Sequence, residues 1–228
     1  LRVISASEKE NNDPSLLISH HMHQFDQVYE SLFYDNQFSE YVPNLVADWS
    51  VGSDGKTWNF ELRKGIRFHE DWGEFTTADV VKTMEWYTRP ANPDPRIEDM
   101  KLFLEGHEVI DDYNITFTLP RPFLDGTYLF SGQTNTHILS KAFLDAEGEE
   151  GLQENMIGTG PYQFVERELG ASILHERVPY EHWRVTPDFE ELQFLFVFEP
   201  STILAMLLAD EVDIGILPFD LQSAATGA

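Results

Sequence analysis

An α/β lobe, with a mixed and twisted sheet, flanking helices and a hairpin-rich subregion between about Trp49 and Tyr180, is the fold class that this 228-residue sequence predicts. Three observations predict it. Between residues 57 and 62, apolar Trp58, Phe60 and Leu62 alternate with Thr57, Asn59 and Glu61, the period of two that marks a strand with one buried face. Residues 189–198 form a longer apolar run with Leu192, Phe194, Phe196 and Phe198 on one face and Leu195 and Val197 on the other, which places it inside a sheet. Two helices carry start signals. One is capped by Thr76 or Thr77 and runs through Val80, Val81, Met84, Trp86 and Tyr87, with Asp79 in its first turn; the other, residues 201–208, is opened by Pro200 and Ser201.

The remaining elements follow from the same reading. Residues 1–5 form a first strand, and residues 27–34 read as a helix with Val28 and Leu32 on its apolar side. The intervening polar loop carries a turn signal at Asn12-Asp13-Pro14. Gly52-Ser53-Asp54-Gly55 is a hairpin connection, since glycine tolerates positive φ and Asp54 can brace the turn. Beyond the strand at 57–62, Ile66 and Phe68 repeat its pattern. Pro90, Pro93 and Pro95 make the next connection irregular. Residues 102–110 and 115–119 read as a second hairpin ended by Pro120 and Pro122. Ser140 caps a short helix with Phe143 and Leu144, and the acidic run 147–150 reads as a linker. A hairpin then turns through Glu168-Leu169-Gly170.

Composition narrows the function classes. Forty acidic and 15 basic residues give a net charge of −25, which disfavours nucleic acid as a partner and reads as a highly solvated or salt-adapted surface. There is no cysteine, no Gly-x-Ser-x-Gly turn and no His-Glu-x-x-His motif, so no catalytic constellation is present and no enzyme is expected. Gly158-Thr159-Gly160-Pro161-Tyr162 lacks the Gly-Lys-Ser/Thr ending of a phosphate loop, and Pro161 removes an N–H; it reads as a rigid turn that sets Tyr162 and Phe164 into the lobe.

Several blocks carry a resemblance. Pro43, Leu45-Val46-Ala47-Asp48-Trp49, Asp54-Gly55-Lys56-Thr57, Phe60, Leu62-Arg63, Gly65, Phe68-His69, Phe75-Thr76 and Ala78-Asp79-Val80-Val81 come first. In order there follow Asp112 to Pro120, the Gly158–Tyr162 turn, and Pro200-Ser201-Thr202 with Leu207-Leu208 and Val212-Asp213-Ile214. Together these resemble the extracellular solute-binding proteins of ABC importers, the peptide and nickel class. The Trp72-Gly73-Glu74 segment departs from the family, which usually has a shorter turn there. The resemblance implies a periplasmic-binding-protein-like lobe of type II. Residues 1–48 would be the first segment of the first-lobe core, 49–180 a hairpin-rich subregion, and 181–228 the return to the core and approach to the interlobe crossing, with the second lobe absent from this chain.

It also implies a function. A monomeric carrier, periplasmic or extracellular, would capture a peptide-like or other small polar ligand and deliver it to a membrane permease. An oligosaccharide or nickel-chelate carrier, or a sensory or scaffold protein, are the alternatives. The first residues lack a basic and apolar leader, so any signal peptide or lipid-bearing segment is expected to have been removed or left out. Candidate ligand-binding residues lie in two polar loops: Met22, His23, Gln24 and Phe25 within residues 20–26, and Ser131, Gln133, Thr134 and Asn135 within residues 130–137. Phe219, in the crossing segment 217–220, is the ninth. An ordinary polar loop remains the competing reading of both stretches. His20, His21, His23 and Asp26 could offer metal ligands, but adjacent residues of one loop have no ordered ligand spacing, so neither metal nor cofactor is expected.

Overall fold

The computed structural model describes residues 1–5, 8, 11–16, 22–90, 92, 97–134 and 136–226. The chain divides into two compact units, Leu1–Glu10 with Pro161–Ala228, and Asn11–Gly160. The divisions fall at residues 10/11 and 160/161, whereas the resemblance implies boundaries at 48/49 and 180/181.

In the first unit, β1 (Arg2–Ser5) pairs in parallel with β10 (Glu191–Phe196), Arg2 standing opposite Gln193. On the other side of β10 runs antiparallel β9 (Ser172–Arg177), followed by β8 (Tyr162–Glu168). The sheet is therefore mixed, in the order β1-β10-β9-β8, and the apolar run is central as its two-faced pattern predicts. One face packs Ile4 against Ile203, Val212 and Leu217, joined by Leu195 and Val197; the other packs Leu192 and Phe194 with Tyr162. Ile203 belongs to α6 (Pro200–Leu208), and α7 (Phe219–Thr226) follows.

The strand is shorter than expected. Phe198 is 59% exposed, because Pro200 at the start of α6 and Glu199 as its cap take the chain out of the ladder after Phe196. Phe196 itself is buried, so Phe196→Ala is expected to cost about 3–5 kcal/mol. A loss under about 1 kcal/mol in urea denaturation would place this strand at the periphery of the core.

The second unit is built on an antiparallel sheet in the order β4-β5-β7-β6: β4 (Val46–Val51), β5 (Thr57–Leu62), β7 (Asn114–Thr118) and β6 (His107–Asp111). The Gly52–Gly55 turn joins the first two, with Asp54 Oδ1 accepting the Lys56 N–H at 2.9 Å. Trp58, Phe60 and Leu62 are buried as their alternation predicts. Phe60 sits at the centre of a ring cluster, edge-on to Phe33, Trp58, Phe117 and Phe130 at centroid distances of 5.4–6.3 Å. Beside this sheet lies a ribbon of β2 (Phe33–Asp35) and β3 (Tyr41–Pro43).

Helix α2 (Thr77–Tyr87) starts at the expected cap: Thr76 N–H donates to Asp79 Oδ2 at 2.8 Å. Asp79 Oδ1 also accepts the backbone N–H of Lys141 at 2.7 Å, tying α2 to the start of α5 (Lys141–Glu154). Burial pushes the Asp79 carboxyl up, against the opposing pull of these bonds.

Three sequence expectations are corrected. Residues 102–105 belong to α3 (Ile97–Glu105), which buries Met100 and Phe103 three positions apart and ends as Gly106 N–H bonds back to Leu102. The acidic run at 147–150 is no linker, because α5 continues through it with a break at Gly148 (φ 62). Residues 27–34 form no helix. Their apolar spacing reflects burial on every side, and their carbonyls accept from distant chain: Val28 from Gly160, Glu30 from Ile138, Ser31 from Leu45, Leu32 from Asn44 and Val46. Bonds spent that way cannot also close helical turns.

Candidate functional site

The two polar stretches picked from the sequence are neighbours in the second unit. Residues 22–25 form the short helix α1 (Met22–Phe25), and the buried segment 28–33 that follows runs beside residues 130–138. Phe33 N–H donates to Phe130 O at 3.0 Å and Ile138 N–H to Glu30 O at 2.9 Å. His137 joins the two directly: Nε2 lies 2.8 Å from Asp26 Oδ1, and its ring meets that of Tyr29 at 5.8 Å. Its backbone N–H reaches the Tyr87 hydroxyl at 3.1 Å.

The predicted ligand-lining residues divide by exposure. His23 faces solvent, and partial burial lowers its imidazole against the raising effect of Asp26. Gln133, also exposed, donates through Nε2 to Asp35 Oδ2 at 2.9 Å. Gln24 and Phe25 are fully buried, Phe25 stacked on Tyr29 at 6.3 Å. Ser131 and Thr134 are buried too, and their hydroxyls donate to nearby backbone, Ser131 to Tyr128 O at 2.8 Å and Thr134 to Leu129 O at 2.9 Å. These four build the walls behind the surface. Met22 opens α1. Asn135, His20 and His21 lie outside the described residues. Phe219 belongs to the other unit, at the start of α7, with its ring 89% exposed. Trp183, 36% exposed, lies beside His182 at 5.8 Å in that unit.

Beneath the two loops is a polar hub that the sequence pattern concealed. Asp13, read as a turn residue, is 1% exposed and collects donors from Arg89 Nη2 (2.5 Å), Trp86 Nε1 (3.2 Å), Ser15 N (2.8 Å) and Ser15 Oγ (2.6 Å). The Arg89 guanidinium lies over the Trp86 ring at 4.2 Å. Burial, with Asp13 adding to it, pushes the phenols of Tyr29 and Tyr87 well above the usual tyrosine range. Asp13 and Arg89 lie far apart in the sequence, so no local pattern marks the pair.

The glycine-rich turn explains itself sterically. A Cβ on Gly158 would stand 2.0 Å from Val28 O, and one on Gly160 2.4 Å from Gln27 O. Backbone contact there lets Gly160 N–H reach Val28 O at 2.8 Å, and His69 Nε2 lies 2.8 Å from Gly160 O. Tyr162 is buried as expected, its hydroxyl donating to Phe189 O at 3.0 Å.

Among the described residues no three His, Cys, Asp or Glu side chains are grouped to hold a metal ion. A groove of about 710 Å³ opens in the first unit, lined by Glu176, Arg177, Tyr180, Glu181, Glu190 and Glu191; none of the predicted residues borders it.

Among the described residues, the loop pair is backed by buried aromatics and by hydroxyls bonded to backbone. The family model for bacterial extracellular solute-binding proteins, family 5 Middle, matches residues 40–226. The chain belongs to this family. It is 28% identical over 196 residues to the dipeptide-binding protein of Escherichia coli strain K12, covering 77% of this chain and 36% of that protein. It is 28% identical over 214 residues to heme-binding protein A of Haemophilus influenzae, covering 84% and 38%. Among solved structures, the periplasmic binding protein DppA of Helicobacter pylori in complex with the peptide STSA superposes with a TM-score of 0.86 at 22% identity, covering 100% of this chain and 48% of that one. NikZ of Campylobacter jejuni in complex with Ni(L-His) gives 0.88 at 20% identity, covering 99% and 45%. The chain thus spans less than half the length of these family relatives, and the fold is that of periplasmic binding proteins.

Proposed function

We propose that this chain is the first-lobe portion of the solute-binding component of an ABC importer, working outside the cytoplasm as a carrier with no catalytic role. It takes a peptide-like or other small polar solute into a cleft closed by a second lobe and hands it to the membrane permease. The observation that carries this reading is the family match over residues 40–226. Peptide is the favoured class because dipeptide, di/tripeptide and oligopeptide carriers recur among the relatives.

In this reading His23 and Gln133 touch the solute from α1 and the 130s loop. Gln24, Phe25, Ser131 and Thr134 hold those contacts in place. Binding free energy in a two-sided cleft comes from both walls expelling water, so one wall binds weakly.

Calorimetry tests this directly, with dipeptides, tetrapeptides, oligosaccharides and nickel–histidine titrated into this protein and into the full-length gene product. The expected result is heat of peptide binding from the full-length product and little from these 228 residues. Tight binding by the 228 residues alone would overturn the two-wall account. Binding of sugar or nickel chelate in place of peptide would reassign the solute. Silence across the whole panel would favour a sensory or scaffold role.

A further inference from the structure

The ribbon β2–β3 and the turn that carries α4 (Gly126–Leu129) bring together Asp35, Tyr41, Asp125 and Tyr128, none of which the transport reading uses. Asp35 and Tyr41 are opposite one another in the ribbon register, hence side by side on one face. The Tyr41 ring meets that of Tyr128 at 5.9 Å, tilted by 58°. Tyr128 is 39% exposed. Asp125 stands at the cap position of α4, yet its side chain makes no bond to the helix N–H groups, so its carboxylate is left for other partners. Gln133 occupies only one oxygen of Asp35.

Among the described residues neither Asp35 nor Asp125 forms an ion pair with Lys, Arg or His. The Tyr41 hydroxyl is pushed up by burial first, then by Tyr128, Asp35 and Asp125. Electron-rich ring faces flanked by uncompensated carboxylates are complementary to one chemistry, an organic cation that is weakly hydrated and flat or rounded. An anion would meet repulsion from both carboxylates, and a neutral solute would leave them unpaired.

We infer that Asp35, Tyr41, Asp125 and Tyr128 form a seat for the cationic side chain of a peptide, guanidinium or ammonium, with Gln133 orienting Asp35. The seat stands on these groups alone and does not depend on the transport reading.

The test is an NMR titration of the 228-residue protein with N-acetyl-arginine amide, following the ring signals of Tyr41 and Tyr128, with N-acetyl-citrulline amide as the uncharged match. Saturable shifts with arginine and none with citrulline are expected. Tyr128→Leu, and separately Asp35→Asn with Asp125→Asn, should each weaken binding by about threefold to tenfold while leaving thermal unfolding unchanged. Glu149→Gln removes an acid elsewhere on the surface and should leave binding as it was. Equal shifts with citrulline, native affinity in Tyr128→Leu, or a loss in Glu149→Gln as large as in the Asp35/Asp125 variant would each overturn the seat; the last would reduce it to attraction by the net charge of −25.

Discussion

Asp13→Ala is expected to lower stability by about 3–5 kcal/mol, a large part of the 5–15 kcal/mol that holds a typical domain together. The carboxylate is 1% exposed and receives four donors, among them Arg89 Nη2 at 2.5 Å. Removing it leaves a largely buried guanidinium with no counter-charge, and that uncompensated charge dominates the cost. The paired replacement Asp13→Leu with Arg89→Met should recover most of the loss, since both charges then disappear together. Urea denaturation of the single and double variants reads both quantities. A single-variant loss under about 1 kcal/mol would show that the pair is solvated and energetically minor, and a double variant no better than Asp13→Ala would show that the cost does not come from the stranded charge.

Phe60→Ala is expected to cost about 3–5 kcal/mol in the same assay. Its ring is 1% exposed and makes edge contacts with four other rings, so truncation leaves a cavity walled by rigid aromatic groups that cannot collapse inward. Phe60→Leu should retain most of the transfer free energy and lose the edge contacts, so it ought to fall between native and Ala. If Leu proved as damaging as Ala, the ring geometry would matter more than the buried volume.

What the sequence revealed depended on whether bonding was local. The strand at 57–62, the turn before it and the capped start of α2 are written in consecutive residues, and each stands where periodicity and capping put it. Residues 28–32 bury Val28, Tyr29 and Leu32 as firmly as any helix face, yet their carbonyls are claimed by Gly160, Ile138, Leu45, Asn44 and Val46, partners that no window of sequence contains. Asp13 was legible as a turn residue because Asn12-Asp13-Pro14 is a turn signal; its role as an acceptor for Arg89 depends on a contact 76 positions away. Similarly, the polar composition of residues 20–26 and 130–137 marked both loops, but only the fold could show that Asp26 and His137 join them and that Ser131 and Thr134 turn their hydroxyls inward.

The parallel pairing of β1 with β10 imposes an order on biosynthesis. Arg2 finds its partner Gln193 only after the unit Asn11–Gly160 and strands β8 and β9 have been made, whereas Asn11–Gly160 is one continuous stretch. At about 5–20 residues per second, the first strand waits roughly 10–40 s with an open edge, while the intervening stretch can fold from its own contacts. During that interval Val3 and Ile4 are apolar side chains on an unpaired strand, the kind of segment that chaperones bind and that aggregates when they do not.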